Sequence, residues 1–207
     1  TREVGPWKSG ALSKIAAHGG LAGWIQKDDG GTEASEKAIM ELLIAVASNC
    51  LTTALALTQW ASAVRILSRA SQETRIRFLP ELAAGQQFTT VGISQLTTSQ
   101  RHLDSPVLTA TQINNKWSLK GRCPWVTGAD SVTTLVTGAI SMNSKKTQAT
   151  PHFFVLETNS SGVNIGPPME LLALTGSRTS SIELEHVSPV AEIVSKHESG
   201  PQTGGLG

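Results

Sequence analysis

The sequence predicts an α+β protein, with an N-terminal all-α bundle followed by a β-barrel-like antiparallel middle domain. Three observations carry this expectation. Apolar residues recur at helical spacing in the first part of the chain, as in Ile39, Leu42, Leu43 and Val46. From Phe88 the pattern changes to alternation among β-branched residues, as in "FTTVGISQ". Helices first and strands later describe segregated units rather than alternating βα repeats. The expected organisation is a helical domain over 1–86, a β domain over 87–196, and a Gly-rich linker or tail over 197–207.

Each element has a local reason. Ser35 stands before the run that contains Ile39 and is placed as its N-cap. A second helix carries Leu57, Trp60, Ala61, Val64 and Leu67 on one face, with Arg65 and Arg69 on the other. "SRASQETR" reads as a helix end and the next helix's start. "QETRIRFLPELAAGQ" reads as two short helical turns split at Pro80, and Gly85 ends the second in the left-handed conformation. "VLTATQINNKWSLKGR" reads as two strands around an Asn114-Asn115 turn. "TTLVTGA" and "HFFVLET" are two more strands, joined by the loop "SMNSKKTQATP". In "SSIELEHV", alternation puts Ile182, Leu184 and His186 on one side, with His186 expected as a satisfied core histidine.

Composition removes several functions. The 207 residues are 39% apolar and 16% charged, which is ordinary for a globular domain large enough to bury a core. The formal net charge is +1, and no basic stripe is interleaved with aromatics, so no nucleic-acid partner is expected. No apolar run reaches the roughly 18–20 residues of a membrane span, and "TREVGPWKSG" lacks the apolar core of a signal peptide. Cys50 and Cys123 fit no metal spacing and are read as reduced thiols of a cytoplasmic protein. The five histidines do not cluster, and no metal site is expected. No phosphate-binding glycine loop, dinucleotide fingerprint or nucleophile elbow is present. "KDDGG" at 27–31 reads as a polar turn made permissive by two glycines.

The stretch "GRCPWVTGAD" at 121–130 follows a strand and holds Trp125 two residues from Thr127. On the residues alone, Trp125 could plug one end of a barrel while Thr127 satisfies a turn. The spacing also suits a ligand, because residues two apart in extended chain point the same way.

Four stretches, in order, resemble the acyl-CoA dehydrogenases. "HGGLAGWIQKDDGGTEAS" is similar to their helix-to-turn segment, and "RFLPELAAGQQ" to the Leu-Pro-x-Leu-Ala-x-Gly segment before the middle domain. "WSLKGRCPWVTGADSVTTLVTGA" resembles their Trp-Ile-Thr segment with the strand after it. "SGVNIG" and "ALTGSRTSSIELEHVSPVAEIV" resemble later middle-domain strands. The resemblance runs from about Ala11 to Lys196. It implies an FAD-dependent oxidoreductase that dehydrogenates acyl-CoA-like thioesters, removing an α-proton and passing the β-hydride to flavin N5. It also implies an electron-transfer flavoprotein as acceptor and a homo-oligomer. By similarity, Trp125 stacks beside the flavin and Thr127 bonds near N5. Ile93 and Ser94 serve the flavin's pyrimidine edge.

Two departures stand beside it. The family's Thr-Glu-Pro-x-x-Gly-Ser-Asp run is here "SQLTTSQR", so Gln95 replaces the acid, Leu96 the proline, and Ser99-Gln100-Arg101 the Gly-Ser-Asp. The family's catalytic carboxylate lies on a C-terminal helical domain, and this chain is expected to stop about where that domain begins. No catalytic residue is therefore assigned within it. A flavin monooxygenase of the same fold and a non-catalytic binding or assembly module remain as alternatives.

Overall fold

The computed structural model describes residues 10–97, 106–142 and 149–193. Ser99, Gln100, Arg101, His197, the Gly-rich tail and the middle of the "SMNSKKTQATP" loop lie outside the described residues. Four helices come first: α1 (Ala11–Ala17), α2 (Glu36–Asn49), α3 (Leu51–Leu67) and α4 (Gln72–Ala83). Ser35 caps α2 by accepting from the Ala38 amide at 3.3 Å, and Ser71 caps α4 by accepting from Thr74 at 3.3 Å.

α3 is the centre of this half. Leu57, Trp60, Ala63 and Val64 are fully buried along it. Trp24 meets the Trp60 ring edge-on at 5.9 Å. α2 turns the expected face inward but buries none of it completely, and Met40 and Ile44 on its far side are 55% and 59% exposed. α4 corrects the expectation of two turns split at Pro80, because it is one continuous helix with Pro80 inside. The amide that proline lacks would have bonded the carbonyl of Ile76, an exposed residue, so water can satisfy that oxygen. Leu79 and Leu82 are buried on either side of the proline and hold the helix in place. The "KDDGG" turn is a 3-10 turn over Lys27–Asp29. Asp29 in it is only 4% exposed and accepts from Arg75 Nε of α4 at 3.1 Å. Nothing in the spacing foretold that pair.

Eight strands follow: β1 (Thr89–Gly92), β2 (Leu108–Ile113), β3 (Lys116–Val126), β4 (Thr134–Met142), β5 (Ala149–Glu157), β6 (Val163–Ile165), β7 (Ser180–Val187) and β8 (Ala191–Ile193). A single helical turn, α5 (Ser94–Thr97), sits directly after β1. Asn114 and Asn115 take φ of 51° and 60° and make the expected two-residue hairpin turn between β2 and β3. β4 and β5 reach further into the expected loop than its polarity suggests.

The sheet order is β6-β7-β3-β2-β4-β5-β8, with β1 added beside β4. It is mixed, since β1 and β2 both pair β4 in parallel, β1 along Thr134–Thr137 and β2 at Ile140. Among the described residues the two ends do not pair, so the sheet is open. This corrects the expectation of an antiparallel, barrel-like domain. Alternation reports which face a strand buries and says nothing of the direction of its neighbour.

The open sheet still curls. Trp117 of β3 donates its indole N–H to Glu192 of β8 at 2.8 Å, and His152 of β5 meets the same carboxylate at 2.9 Å. Its two faces feed two cores. Val91, Val136 and Val155 pack against Trp60 and Leu79 of the helices. Leu119, Cys123, Val126, Phe154 and Ile182 pack against one another inside the curl.

Gly85 shows how tightly α4 is seated. It has φ 66° and closes a Schellman end, with its own amide on Leu82 O and the Gln86 amide on Glu81 O. A Cβ there would lie 2.2 Å from Ala16 Cβ of α1. Gly19 has a similar φ of 75°, and among the described residues no atom lies within 4 Å of such a Cβ. Gly19→Ala should therefore lose about 1 kcal/mol from backbone strain alone. Gly85→Ala should lose at least about 2 kcal/mol more, from overpacking against α1. Urea unfolding of the two variants checks this, and equal losses would contradict it.

Candidate functional site

The site is built on the ladder between β3 and β7. Leu119 pairs Val187, but Gly121 pairs Leu184, so β7 carries an extra residue there. Cys123 pairs Ile182, but Val126 pairs Ser180, so β3 carries an extra residue at its end. The two bulges are on opposite strands and cancel. Without the second, Trp125 would share the inner face of Cys123. With it, Val126 takes the inner place at 0% exposed and Trp125 turns outward, 50% exposed.

The same device moves His186. It sits in the β7 bulge with φ 55° and an exposed side chain, while Val187 fills the core instead. This corrects the expectation that His186 lies on the core side with Ile182 and Leu184.

Trp125 and Thr127 do not share one surroundings. Trp125 is still within β3, and Thr127 begins the turn beyond it, only 8% exposed. Thr127 Oγ1 lies 3.2 Å from Thr179 Oγ1, which lies 2.9 Å from Ser177 Oγ. This chain of three buried hydroxyls is tied further by the Gly128 amide donating to Ser177 O at 2.9 Å. Arg178 Nε donates to both oxygens of Asp130 at 2.9 Å, and a terminal nitrogen of the same guanidinium adds a further bond. Leu174 and Arg178 both hold left-handed backbone, with φ of 61° and 51°. That conformation costs roughly 1–2 kcal/mol per residue and persists where the surroundings impose it.

Ile93 and Ser94 also depart from expectation. They are not strand residues: Ile93 lies just past β1, and Ser94 opens α5. Gly92 lets β1 come close to β3, since a Cβ there would stand 3.1 Å from Val126 Cγ2. Gln95 then reaches across the sheet. Its Nε2 donates to Gly138 O at 2.8 Å and Gly92 O at 3.0 Å, and lies 3.9 Å from Cys123 Sγ, two residues from Trp125. Gln95, the residue after Ser94, thus links α5 to β3 at Cys123. Burial pushes the Cys123 thiol up to about 11, with the charge of Glu183 adding to it and the Thr137 hydroxyl opposing. Cys123 is therefore a neutral, unreactive thiol at pH 7.

A cleft of about 490 Å³ opens elsewhere, between α4 and the adjoining ends of β4 and β5. None of Ile93, Ser94, Trp125 or Thr127 lines it. Its polar groups are spent on one another: Arg77 pairs Glu157 at 3.5 Å, and Gln87 bonds Glu81 at 2.5 Å and Thr133 at 3.0 Å. The cleft adds nothing to the site.

Sequence reasoning passed over the bulge, the Thr179–Ser177 brace and the Arg178–Asp130 pair. Only the bulge had a signal. Pro124 lacks a ladder donor, and proline inside a strand marks a bulge or an edge.

The Asp130 pair has a consequence for acid stability. Burial pulls the Asp130 carboxyl upward, but hydrogen bonds from Arg178 and Ser131 and the Arg178 charge outweigh it and hold the group below the usual carboxylate range. A lowered folded value means stability that is present above the unfolded value, about 3.9, and lost as pH falls through the folded one. Asp130→Asn should therefore be less stable than the parent at pH 7, with the gap shrinking below about pH 4. Urea unfolding at pH 7 and pH 3 measures the gap, and a gap unchanged with pH would contradict the assignment.

No protein-family model matches the chain, and no curated protein matches it in sequence. Solved structures do match in fold. An acyl-CoA dehydrogenase complexed with FAD from Bacillus anthracis superposes with a TM-score of 0.73 at 16% identity, over 86% of this chain and 31% of that one. Butyryl-CoA dehydrogenase from Megasphaera elsdenii gives 0.77 at 15% identity, over 88% of this chain and 49% of that one. A glutaryl-coenzyme A dehydrogenase in complex with glutaryl-CoA gives 0.76 at 21% identity, over 90% and 48%. The chain thus spans from 31% to 49% of the length of these structures. Helices α1–α4, the curled open sheet and the order in which they follow one another are the acyl-CoA dehydrogenase-like fold.

Proposed function

We propose that this chain serves an FAD-dependent oxidoreductase acting on acyl-CoA-like thioesters. The single observation that supports it best is Trp125. A half-exposed indole is turned outward by a bulge between the buried Cys123 and Val126, at the end of a strand that Gln95 of α5 reaches at Cys123. A large flat face at a fixed place fits a planar ring system. FAD, when bound, supplies a hydride acceptor at its N5.

The residues present fit this cofactor in stated ways. Trp125 would cover one side of the ring and exclude water from it. Ile93 and Ser94 would meet its edge from the end of β1. Thr127 fits through its place in the hydroxyl chain. If Thr179 donates to Thr127 Oγ1, the proton of Thr127 is left for a ligand. Asp130, the acid nearest in sequence to Trp125, does not fit the role of base, because Arg178 holds it ionised and engaged. The base therefore belongs to another carboxylate of the whole protein. Electron transfer to a partner flavoprotein and assembly into a homo-oligomer belong to the same reading.

The full-length protein should purify with FAD and be yellow. Trp125→Ala should weaken FAD binding by roughly two- to tenfold, the equivalent of about 0.5–1.5 kcal/mol for a lost aromatic contact. Equilibrium titration followed at the flavin bands measures it, and unchanged affinity would remove Trp125 from the site. Anaerobic mixing with short, branched and long acyl-CoAs should bleach the flavin. No bleaching by any of them, with flavin-dependent oxygen insertion into another substrate, would assign a monooxygenase instead.

A further inference from the structure

The surroundings of the Gln95 amide are unusually one-sided. Four acceptors face its Nε2: Gly138 O at 2.8 Å, Gly92 O at 3.0 Å, Thr137 Oγ1 at 3.3 Å and Cys123 Sγ at 3.9 Å. Thr137 gives its own proton to Gly92 O at 2.7 Å. Its oxygen is then left to accept, from Gln95 and from the Cys123 thiol at 3.2 Å. Meanwhile Gln95 Oε1 is buried without a hydrogen-bond partner among the described residues. The donors are saturated and the acceptor is unused. Turning the amide over would set Oε1 against two carbonyls, so the hydrogen bonds fix its orientation.

Only a group with two hydrogens fits this cage. A carboxylate would bring no donor and would face Gly92 O and Gly138 O with negative charge. A carboxylic acid could satisfy one carbonyl and not both. These bonds also span the sheet. Gln95 belongs to α5, Gly92 to β1, Cys123 to β3, and Thr137 and Gly138 to β4.

We infer that Gln95 is a positioning residue: its amide pins α5 to β3 and β4, and so fixes where Ile93 and Ser94 stand at the end of β1. The inference deepens the flavin reading and rests on it for the identity of the ligand. The pin itself can be read without flavin, because α5 closes over Cys123, which is fully buried and kept a neutral thiol.

The test uses the full-length protein carrying Cys50→Ser, so that Cys123 reports alone among the cysteines of this chain. Three forms are compared: Gln95 retained, Gln95→Glu and Gln95→Met. The Met variant keeps the bulk and removes the donors without adding charge. Iodoacetamide labelling of Cys123 under native conditions should be at least tenfold faster in both variants at pH 8. In Gln95→Glu the ratio to the parent should fall toward pH 5, as the carboxyl regains a proton to donate. In Gln95→Met the ratio should not change with pH. Urea unfolding of each form gives the labelling expected from global unfolding alone. Labelling no faster than the parent, or faster only in step with global unfolding, would overturn the pin. FAD titration then separates the two readings. The parent binding FAD and both variants binding at least tenfold more weakly supports the positioning role. Equal binding by all three, with Cys123 opened, overturns it. A parent that binds no FAD, with Cys123 still opened in the variants, sinks the flavin reading and leaves the pin standing.

Discussion

The ladder between β3 and β7 sets the rest of the structure, because its two bulges decide which side chains face inward. The strands enter and leave in the same register, but between Gly121 and Cys123 they run one residue out of it. A one-residue slip in a regular sheet would carry every later side chain to the opposite face. The second bulge limits that slip to a short stretch and delivers Val126 and Ser180 to the interior. The second bulge sends Trp125 to the surface at one end, and the first sends His186 there at the other. A core fault left uncorrected would bury an indole where Val126 now packs against the place of Gly92. The exposure of Trp125 is thus a product of how the core closes, and a ligand site that uses it inherits the rigidity of that core.

The helical half depends on the same sheet. Trp60 and Leu79 share their cluster with Val91, Val136 and Val155, while Leu135 and Phe154, one residue away along β4 and β5, belong to the other core. Alternation along two strands therefore divides the protein into an outer core with the helices and an inner one within the curl. α3 rests on β1 and also on the 3-10 turn Thr175–Ser177. That turn carries the hydroxyl chain to Thr127. The floor of the helical half and the brace of the site are consequently one piece of structure. Loosening α3, for instance by removing the fully buried Trp60 side chain at roughly 3–5 kcal/mol, would disturb both.

Much of this was legible in the residues. The helix face of α3, the caps at Ser35 and Gly85, the Asn114-Asn115 hairpin and the change of period near Phe88 are local signals, and each is where its chemistry puts it. What was not legible depends on partners far apart in the chain. Asp29 finds Arg75, 46 residues away, and Asp130 finds Arg178, 48 residues away. Strand direction is of the same kind, so β1 and β2 beside β4 overturned an antiparallel barrel. Pro80 misled because the penalty for proline assumes an unpaired carbonyl, and the carbonyl it frees belongs to an exposed residue. For the candidate site, the spacing of Trp125 and Thr127 was read as a straight run. Pro124 was the local sign that the run is not straight.

Two kinds of restraint hold the segments that carry Ile93, Ser94, Trp125 and Thr127. On one side, the Trp125–Thr127 segment is held by Arg178 on Asp130, by the hydroxyls of Thr179 and Ser177, and by the amide of Gly128. On the other, α5 is held by Gln95 on two strands. The first ties the turn that leaves β3 to the turn that enters β7, and the second runs from α5 to β1, β3 and β4. A group placed between them would meet donors and apolar faces whose positions are already fixed, so little conformational freedom is lost on binding. That is the condition under which a hydrogen bond aimed at a developing charge contributes most, since no reorganisation is needed at the moment of reaction. The left-handed backbone at Leu174 and Arg178 fits the same logic. Both strained residues flank the turn that supplies Ser177, and the strain is held in place by the bonds that orient Thr127.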